Sequence, residues 1–231
     1  MGKSIKIDPG HGGTDPGANG FGVKEKDWNL KMSLYQYKRL KQLGADVSLT
    51  RDNDKSLDAA SRTNLIKSKY DLCISNHFNA FNGKARGIET IHSIHSNGKF
   101  ATKLADALHK STKLPVRRVF KRANSDNTDY YFMHRLTGNT ETVIIEYGFI
   151  DNKDDHNFYK NESNFEKAAE AVIEVICQEV GVNYKPKEAV KKKTNLVLYK
   201  VQTGAFSDKA NAEDLVKKLA KDGYDAFVVK E

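Results

Sequence analysis

An α/β fold, with a single mostly parallel sheet flanked by helices, is the architecture this sequence predicts. Three observations carry that expectation. Short apolar segments rich in β-branched residues recur at 3–8, 46–50, 71–76, 87–93 and 143–146, each ending in a loop-forming cluster. Helical periodicity occupies 27–43, 57–67, 98–113 and 165–180. Strands that alternate with helices read as a parallel sheet, because parallel neighbours need a long crossover between them.

The first strand alternates through Lys3-Ser-Ile-Lys-Ile-Asp8 and then meets Pro9-Gly10, a pair that punctuates extended structure. From Pro9 to Lys26 the loop holds Gly10, Gly12, Gly13, Gly17, Gly20 and Gly22, which leaves its backbone free to fold over the sheet edge. Asp27 is the expected N-cap of the first helix and Gly44 its stop, with Trp28, Met32, Tyr35, Leu40 and Leu43 as an approximate apolar stripe. The helix over 165–180 is the clearest, with Ala168, Val172, Ile176 and Val180 four apart along one face. At Val182 the composition changes. Lys185-Pro-Lys-Glu-Ala-Val-Lys-Lys-Lys-Thr194 reads as a solvated linker. The expected organisation is a large domain over 1–181, a basic linker over 182–195 and a small β-α-β unit over 196–231, with strands at 196–202 and 224–230 around a helix at 208–221.

Composition narrows the function classes. With 39% apolar and 29% charged residues, the 231-residue chain can bury a core but has no run of roughly 18 to 20 apolar residues, so membrane insertion is not expected. Cys73 and Cys177 lie far apart in apolar surroundings and read as buried thiols, not as a disulfide or a zinc-thiolate pair. The net charge of +8 calls for an acidic partner or a generally basic surface. Only eight of the 38 basic residues are Arg, and no base-reading motif is present, so nucleic acid is not the expected partner. Gly10-His-Gly-Gly-Thr-Asp15 lacks the Gly-Lys-Ser/Thr of a phosphate loop, and no Gly-x-Ser-x-Gly elbow supports a serine hydrolase.

The chemistry-bearing residues fall at strand ends. His11 follows the first strand in Asp8-Pro-Gly-His-Gly-Gly13. His77 follows a later one in Ser75-Asn-His-Phe-Asn-Ala80, and Glu146 closes Val143-Ile-Ile-Glu146. Carboxyl ends of parallel strands share one edge, where ligands of open α/β sheets gather. Glu25, at the end of the glycine-rich loop, can be folded beside His11. Two histidines, a glutamate and a second carboxylate suit a catalytic zinc with an open position and a general base. A lone His in a glycine-rich loop is also an ordinary turn residue, whereas a carboxylate ending an apolar strand needs a partner, a metal or a cleft. His92, His95, His109, His134 and His156 are expected on surface helices or loops, without a functional role.

In that order, Asp8-Pro-Gly-His-Gly-Gly13, Glu25, Asn76-His-Phe-Asn-Ala80 and Glu146-Tyr-Gly-Phe149 resemble the zinc-dependent N-acetylmuramoyl-L-alanine amidases of the amidase-3 type. Thr50-Arg-Asp52, and Arg62 with Asn64, match further pieces of the pattern, and the resemblance spans roughly residues 3–180. It implies zinc ligands at His11, Glu25 and His77, a catalytic glutamate at Glu146, and hydrolysis of the bond between N-acetylmuramic acid and the L-alanine of the stem peptide in peptidoglycan. A zinc peptidase cutting within the stem peptide and a non-catalytic wall-binding protein are the competing readings. Family members tend to carry an aliphatic residue before the second histidine and a small one after it. Asn76 and Phe78 depart from that, and the expected consequence is an altered cleft floor.

The tail, from Tyr199-Lys-Val-Gln-Thr-Gly-Ala-Phe206 onward, resembles the first half of a SPOR-type peptidoglycan-binding module. One β-α-β unit makes only half such a sheet, so a second copy of the chain is expected to complete it as a homodimer, with Ala212, Leu215, Val216 and Leu219 as the apolar helix face. The first residues show no secretory apolar stretch. The expectation is therefore synthesis in the cytoplasm and access to the wall through a permeabilised membrane, as for an endolysin or a mother-cell lytic enzyme. Anionic wall polymers are the partner that the charge suggests. Interactions between exposed charges are screened beyond about 8 Å at physiological ionic strength. Co-sedimentation with purified walls should therefore fall as salt is added and when Lys191, Lys192 and Lys193 are changed to Gln; salt-independent retention would exclude the electrostatic contribution.

Overall fold

A computed structural model describes residues 2–187, 202–224 and 226–228. The chain divides into two units, Met1–Lys187 and Glu188–Glu231. The first unit begins with β1 (Ile5–Pro9), a small hairpin of β2 (Asn19–Gly20) and β3 (Val23–Lys24), α1 (Glu25–Gln42) and β4 (Val47–Leu49). It continues through α2 (Ala59–Asn64), β5 (Leu72–Asn79), β6 (Ile88–His92), α3 (Lys99–Thr112) and β7 (Val116–Phe120). It closes with α4 (Phe132–Arg135), β8 (Glu141–Phe149), α5 (Lys153–Lys160) and α6 (Glu162–Val180).

Six strands form one sheet in the order β4-β1-β5-β8-β6-β7. The first four are mutually parallel, β6 runs antiparallel to β8, and β7 is parallel to β6. The mostly parallel sheet expected from the sequence is therefore what forms, with one reversal at the β8–β6 seam.

Strand alternation sends successive side chains to opposite faces. Ile5, Ile7, Leu72, Ile74, Val143 and Ile145 join Met32 and Leu40 of α1, Leu104 and Leu108 of α3, and Val172 and Ile176 of α6 in the main core. The residues between them face the other way. There a smaller cluster of Ile66, Cys73, Ile91, Met133 and Ile144 covers only part of the sheet. The functional residues stand on the uncovered part of that second face. Cys73 and Cys177 are both buried and free, as expected.

Several boundaries differ from the sequence reading. The first helix starts at Glu25, not after Asp27, because Glu25 N–H donates to Ala18 O (2.8 Å) and Lys26 N–H to Pro16 O (3.1 Å), which docks the loop onto the first turn. The strand expected to end at Asn76 runs on to Asn79, and that expected to end at Glu146 runs on to Phe149, because the two extensions pair with each other, His77 with Glu146 and Asn79 with Phe149. The short β7, α4 and α5 carried no clear periodic signal. His134 and His156 are buried, not on the surface: His134 is on the buried side of α4, and His156 stacks on Trp28 with ring centroids 5.2 Å apart.

Residues 182–187, read from composition as the start of the linker, are tied to the first unit. Val182 and Tyr184 pack against its core, Tyr184 OH donates to Glu170 (2.9 Å), and Arg39 donates to Lys185 O (2.9 Å). In the second unit the expected helix is present as α7 (Lys209–Lys221), capped by Asp208, with Ala212, Leu215, Val216 and Leu219 forming its half-buried side. Residues 196–201 of one expected tail strand, and Asp225 and residues 229–230 of the other, lie outside the described residues, as do Lys191, Lys192 and Lys193.

The second face carries one fully buried ion pair. Asp8 in β1 accepts from Arg62 Nη1 (2.7 Å), Thr50 Oγ1 (2.6 Å) and Ser75 Oγ (2.8 Å). Burial alone would raise its carboxyl, but Arg62 and the two hydroxyls outweigh that and hold it below its ordinary value of 3.8. A depressed folded value means that the stabilisation is in place above the ordinary carboxylate range and is lost as pH falls through the folded value. Asp8→Ala should cost about 3–5 kcal/mol in urea unfolding at neutral pH, because it strands a buried guanidinium. A loss below about 1 kcal/mol would show that Arg62 finds another partner.

Candidate metal centre and catalytic cleft

His11, Glu25 and His77 come from three separate elements, and their ligand-type atoms all lie within 4.8 Å of one another. Each is placed by a different device. His11 sits just past β1 in the left-handed region (φ 58°), which His tolerates better than most side chains. Its carbonyl accepts from Arg62 Nη2 (2.7 Å), and the preceding carbonyls of Pro9 and Gly10 accept from Arg51 at 3.1 and 2.9 Å. Glu25 occupies the first turn of α1, where a carboxylate is favoured by the helix dipole. His77 projects from within β5, not from beyond its end.

The ring of donors is compact. Glu25 Oε2 is 3.1 Å from His11 Nε2, and Glu25 Oε1 is 2.9 Å from His77 Nδ1, with the imidazole rings edge-on at 5.0 Å. Glu25 also accepts from Ala18 N–H (2.7 Å), Phe78 N–H (3.1 Å) and Asn29 Nδ2 (3.1 Å). Burial would raise its carboxyl, yet the two histidines hold it well below the usual carboxylate range. On the outer side of His11, Asp15 stands 2.7 Å from Nδ1, which directs Nε2 inward. Two imidazoles and a carboxylate, with a carboxylate behind one imidazole, fit a divalent ion of zinc type in donor chemistry and second-sphere support.

Glycine is required where the backbone passes this cluster. A Cβ on Gly10 would lie 2.2 Å from His77 Cε1, and one on Gly17 would lie 2.5 Å from Glu25 Oε2 and 2.7 Å from His11 Cδ2. Gly10 and Arg51 lie within motifs of the sequence that assign them no role, and Asp15, Gly17 and Asn29 are site residues that sequence reasoning misses. Asn29 was legible as the i+4 neighbour of a helical Glu25; the others depend on the loop's path.

Glu146 stands in direct register with His77 across β5 and β8, in mid-strand. One of its carboxylate oxygens is buried with no hydrogen-bond partner. Burial pushes its carboxyl well above the ordinary value, and repulsion from Glu25 and Glu89 adds to this. A cation among His11, Glu25 and His77 would offset that repulsion. The cleft over these residues has a volume of about 570 Å³ and is lined by Leu57, Tyr131, Phe132 and Met133 as well as by His11, His77 and Glu146. The cleft floor is not altered by Asn76 and Phe78, contrary to expectation. Both alternate with His77 and point into the opposite core, where Asn76 bonds Ser33, Gln36 and Tyr147, and Phe78 packs on Trp28 and Tyr147. His92, His95, His109, His134 and His156 are outside the cluster.

The sequence profile of N-acetylmuramoyl-L-alanine amidase matches residues 5–178, most of the chain and every element of this site. The chain belongs to the N-acetylmuramoyl-L-alanine amidase family. This amidase is 30% identical to the N-acetylmuramoyl-L-alanine amidase CwlM of Bacillus licheniformis, over 97% of its own length and 84% of the relative's. It is 31% identical to the endolysin of Bacillus phage SPP1, over 99% and 88%. Among solved structures it resembles the CwlD amidase of Clostridioides difficile, solved in complex with the GerS lipoprotein, with a TM-score of 0.70 and 28% identity over 78% of this chain and 100% of that one. A SPOR domain profile matches residues 165–231 of the amidase. That match starts inside α6, which belongs structurally to the amidase core. No helix among the described residues is long and apolar enough to cross a membrane.

The glycine cradle gives a direct test of the cluster. Gly10→Ala should leave the fold intact by circular dichroism but displace His77. It should weaken binding of a divalent cation, measured by calorimetry with zinc, by roughly 10- to 100-fold, the scale seen when a ligand loses its orientation. Unchanged affinity would mean that His77 is not a ligand.

Proposed function

We propose that the amidase hydrolyses the amide joining the lactyl group of N-acetylmuramic acid to the L-alanine of the stem peptide, with zinc held by His11, Glu25 and His77 and with Glu146 as general acid–base. The observation that carries this reading is a carboxylate with a buried, partnerless oxygen in the sheet position next to His77. A structural ion needs no such neighbour. A zinc ion at this cluster supplies Lewis acidity toward the scissile carbonyl and toward water.

The protein's own groups divide the remaining work. Glu146 accepts a proton from the attacking water as the new C–O bond forms, and delivers it to the amide nitrogen as the C–N bond breaks. The products are a lactyl carboxylate and a free L-alanine amine. Asp15 keeps one tautomer of His11, and Asn29 and the Phe78 N–H keep the Glu25 carboxylate turned inward. Leu57, Phe132 and Met133 give the cleft an apolar part beside these groups. Peptidoglycan as substrate is supported by the family, by the endolysin relative and by the SPOR match, which also supports a wall-binding role for the tail.

Digestion of purified peptidoglycan tests the bond assignment. New L-alanine amino termini with intact muramoyl lactyl groups are expected, whereas other new amines would mean a peptidase and new reducing ends a glycosidase. His11→Ala, Glu25→Ala and His77→Ala should each lose zinc, measured by elemental analysis of the purified protein. Glu146→Ala should retain zinc and fold while losing about 10²- to 10⁴-fold in turnover; near-wild-type turnover would remove Glu146 from the mechanism.

A further inference from the structure

The registered row that contains His77 and Glu146 does not stop at the cleft. It continues to Glu89 on β6 and to Arg118 on the edge strand β7. Residues in register project to the same face of a sheet, so all four stand on the cleft side. Between Ile88 and Glu89 the register slips: Ile88 pairs with Val116 and Glu89 with Arg118, which leaves Arg117 as the extra residue of a bulge. Bulges re-aim side chains. Here both guanidiniums turn onto one carboxylate. Arg118 Nε and Nη2 lie 2.8 and 3.3 Å from the Glu89 oxygens, and Arg117 Nη1 donates to Oε1 of the same group.

Glu89 is itself fully buried and is held from the other side by Asn79 Nδ2 (3.1 Å), on the strand of His77. One guanidinium is enough to neutralise it. The second leaves an excess positive charge at the end of the row, on side chains 37% and 48% exposed. Arg118 stacks 3.9 Å over Phe120, and Arg117 lies 5.5 Å over Phe149, so neither sweeps freely. Arg118 Nη1 and Arg117 Nε and Nη2 have no hydrogen-bond partner among the described residues. Strands lie about 4.8 Å apart, which puts Arg118 about 10 Å from Glu146 along the row. An extended peptide covers at most about 3.6 Å per residue, so that distance is about three residues.

We propose that Arg117 and Arg118, clamped by Glu89, form a carboxylate-binding subsite that selects substrates bearing a free carboxylate about three residues beyond the scissile amide. This deepens the function proposed above and rests on it. Fixed, forked guanidiniums suit such a group, because they bind carboxylates through paired charge-assisted hydrogen bonds.

The test uses the full chain and two muramoyl peptides that are identical except that the stem carboxylates are free in one and converted to amides in the other. The wild type should favour the free acid by roughly tenfold in kcat/KM, expressed through KM, the scale of a hydrogen bond to a charged group. Arg117→Gln and Arg118→Gln should each bring that ratio toward one. Calorimetry with the released stem peptide, acid against amide, gives the same comparison without turnover and holds if one variant folds poorly. A wild type without preference, or variants that keep it, would overturn the subsite alone. A wild type that cleaves neither substrate at the muramoyl–alanine bond would overturn the proposed function, and the subsite with it.

Discussion

Two buried guanidiniums grip the carbonyl oxygens of Pro9, Gly10 and His11, and the geometry of the site follows from that grip. Arg51 donates to Pro9, Gly10, Lys26 and Asn53, and Arg62 donates to Pro9 and His11 while pairing with Asp8. A loop with six glycines has no preferred shape of its own and loses much backbone entropy on ordering. Planar, multi-donor groups beneath its carbonyls fix the path that brings His11 to Glu25. A lysine would offer the charge but not the fork. Only Arg62 has a carboxylate partner; the Arg51 charge rests on carbonyl dipoles, and burial lowers its pKa accordingly.

The sheet does two jobs with one set of strands. In β5, His77 faces the cleft while Asn76 and Phe78 face the helices, so the cleft side and the packing side are separated by a single peptide unit. Asn76 closes a buried polar ring with Gln36 and Tyr147, and Phe78 sits among Trp28, Tyr147, Tyr159 and Phe165. These contacts join β5 to α1, the helix that carries Glu25. Departures from the family pattern at these two positions therefore act on the support of the site and leave its lining alone. The Phe78 N–H, which donates to Glu25, is the point where the two sides meet.

The carboxylates of Glu25, Glu146 and Glu89 are kept apart by what each is bound to. Glu25 is satisfied by two imidazoles, two backbone N–H groups and Asn29. Glu89 is satisfied by two arginines and Asn79. Glu146, between them, keeps a buried oxygen without a partner. Burying an unpartnered carboxylate costs free energy, and sites that retain one are those where the group has work in another state. The neighbouring tyrosine side of the cleft offers Glu146 no hydrogen bond, which leaves water and substrate as its partners.

The sequence by itself determined the fold class and the amphipathic α6, and it marked His11, Glu25, His77 and Glu146 as candidates, because strand period, helix period and ordered short motifs are local properties. It also located the tail helix, through its i, i+3, i+4 stripe. It did not determine where strands end. Residues 77–79 of β5 and 147–149 of β8 are extended because they pair with each other, His77 opposite Glu146 and Asn79 opposite Phe149. Nor did it reveal that Asn76 and Phe78 turn away from the cleft, that Asp15 stands behind His11, or that Arg117 and Arg118 converge on Glu89. Those facts depend on register, and register is fixed when separate strands pair and one face of each is buried. A one-residue slip, as at the β6–β7 bulge, redirects a charge without leaving any mark in the spacing of the chain.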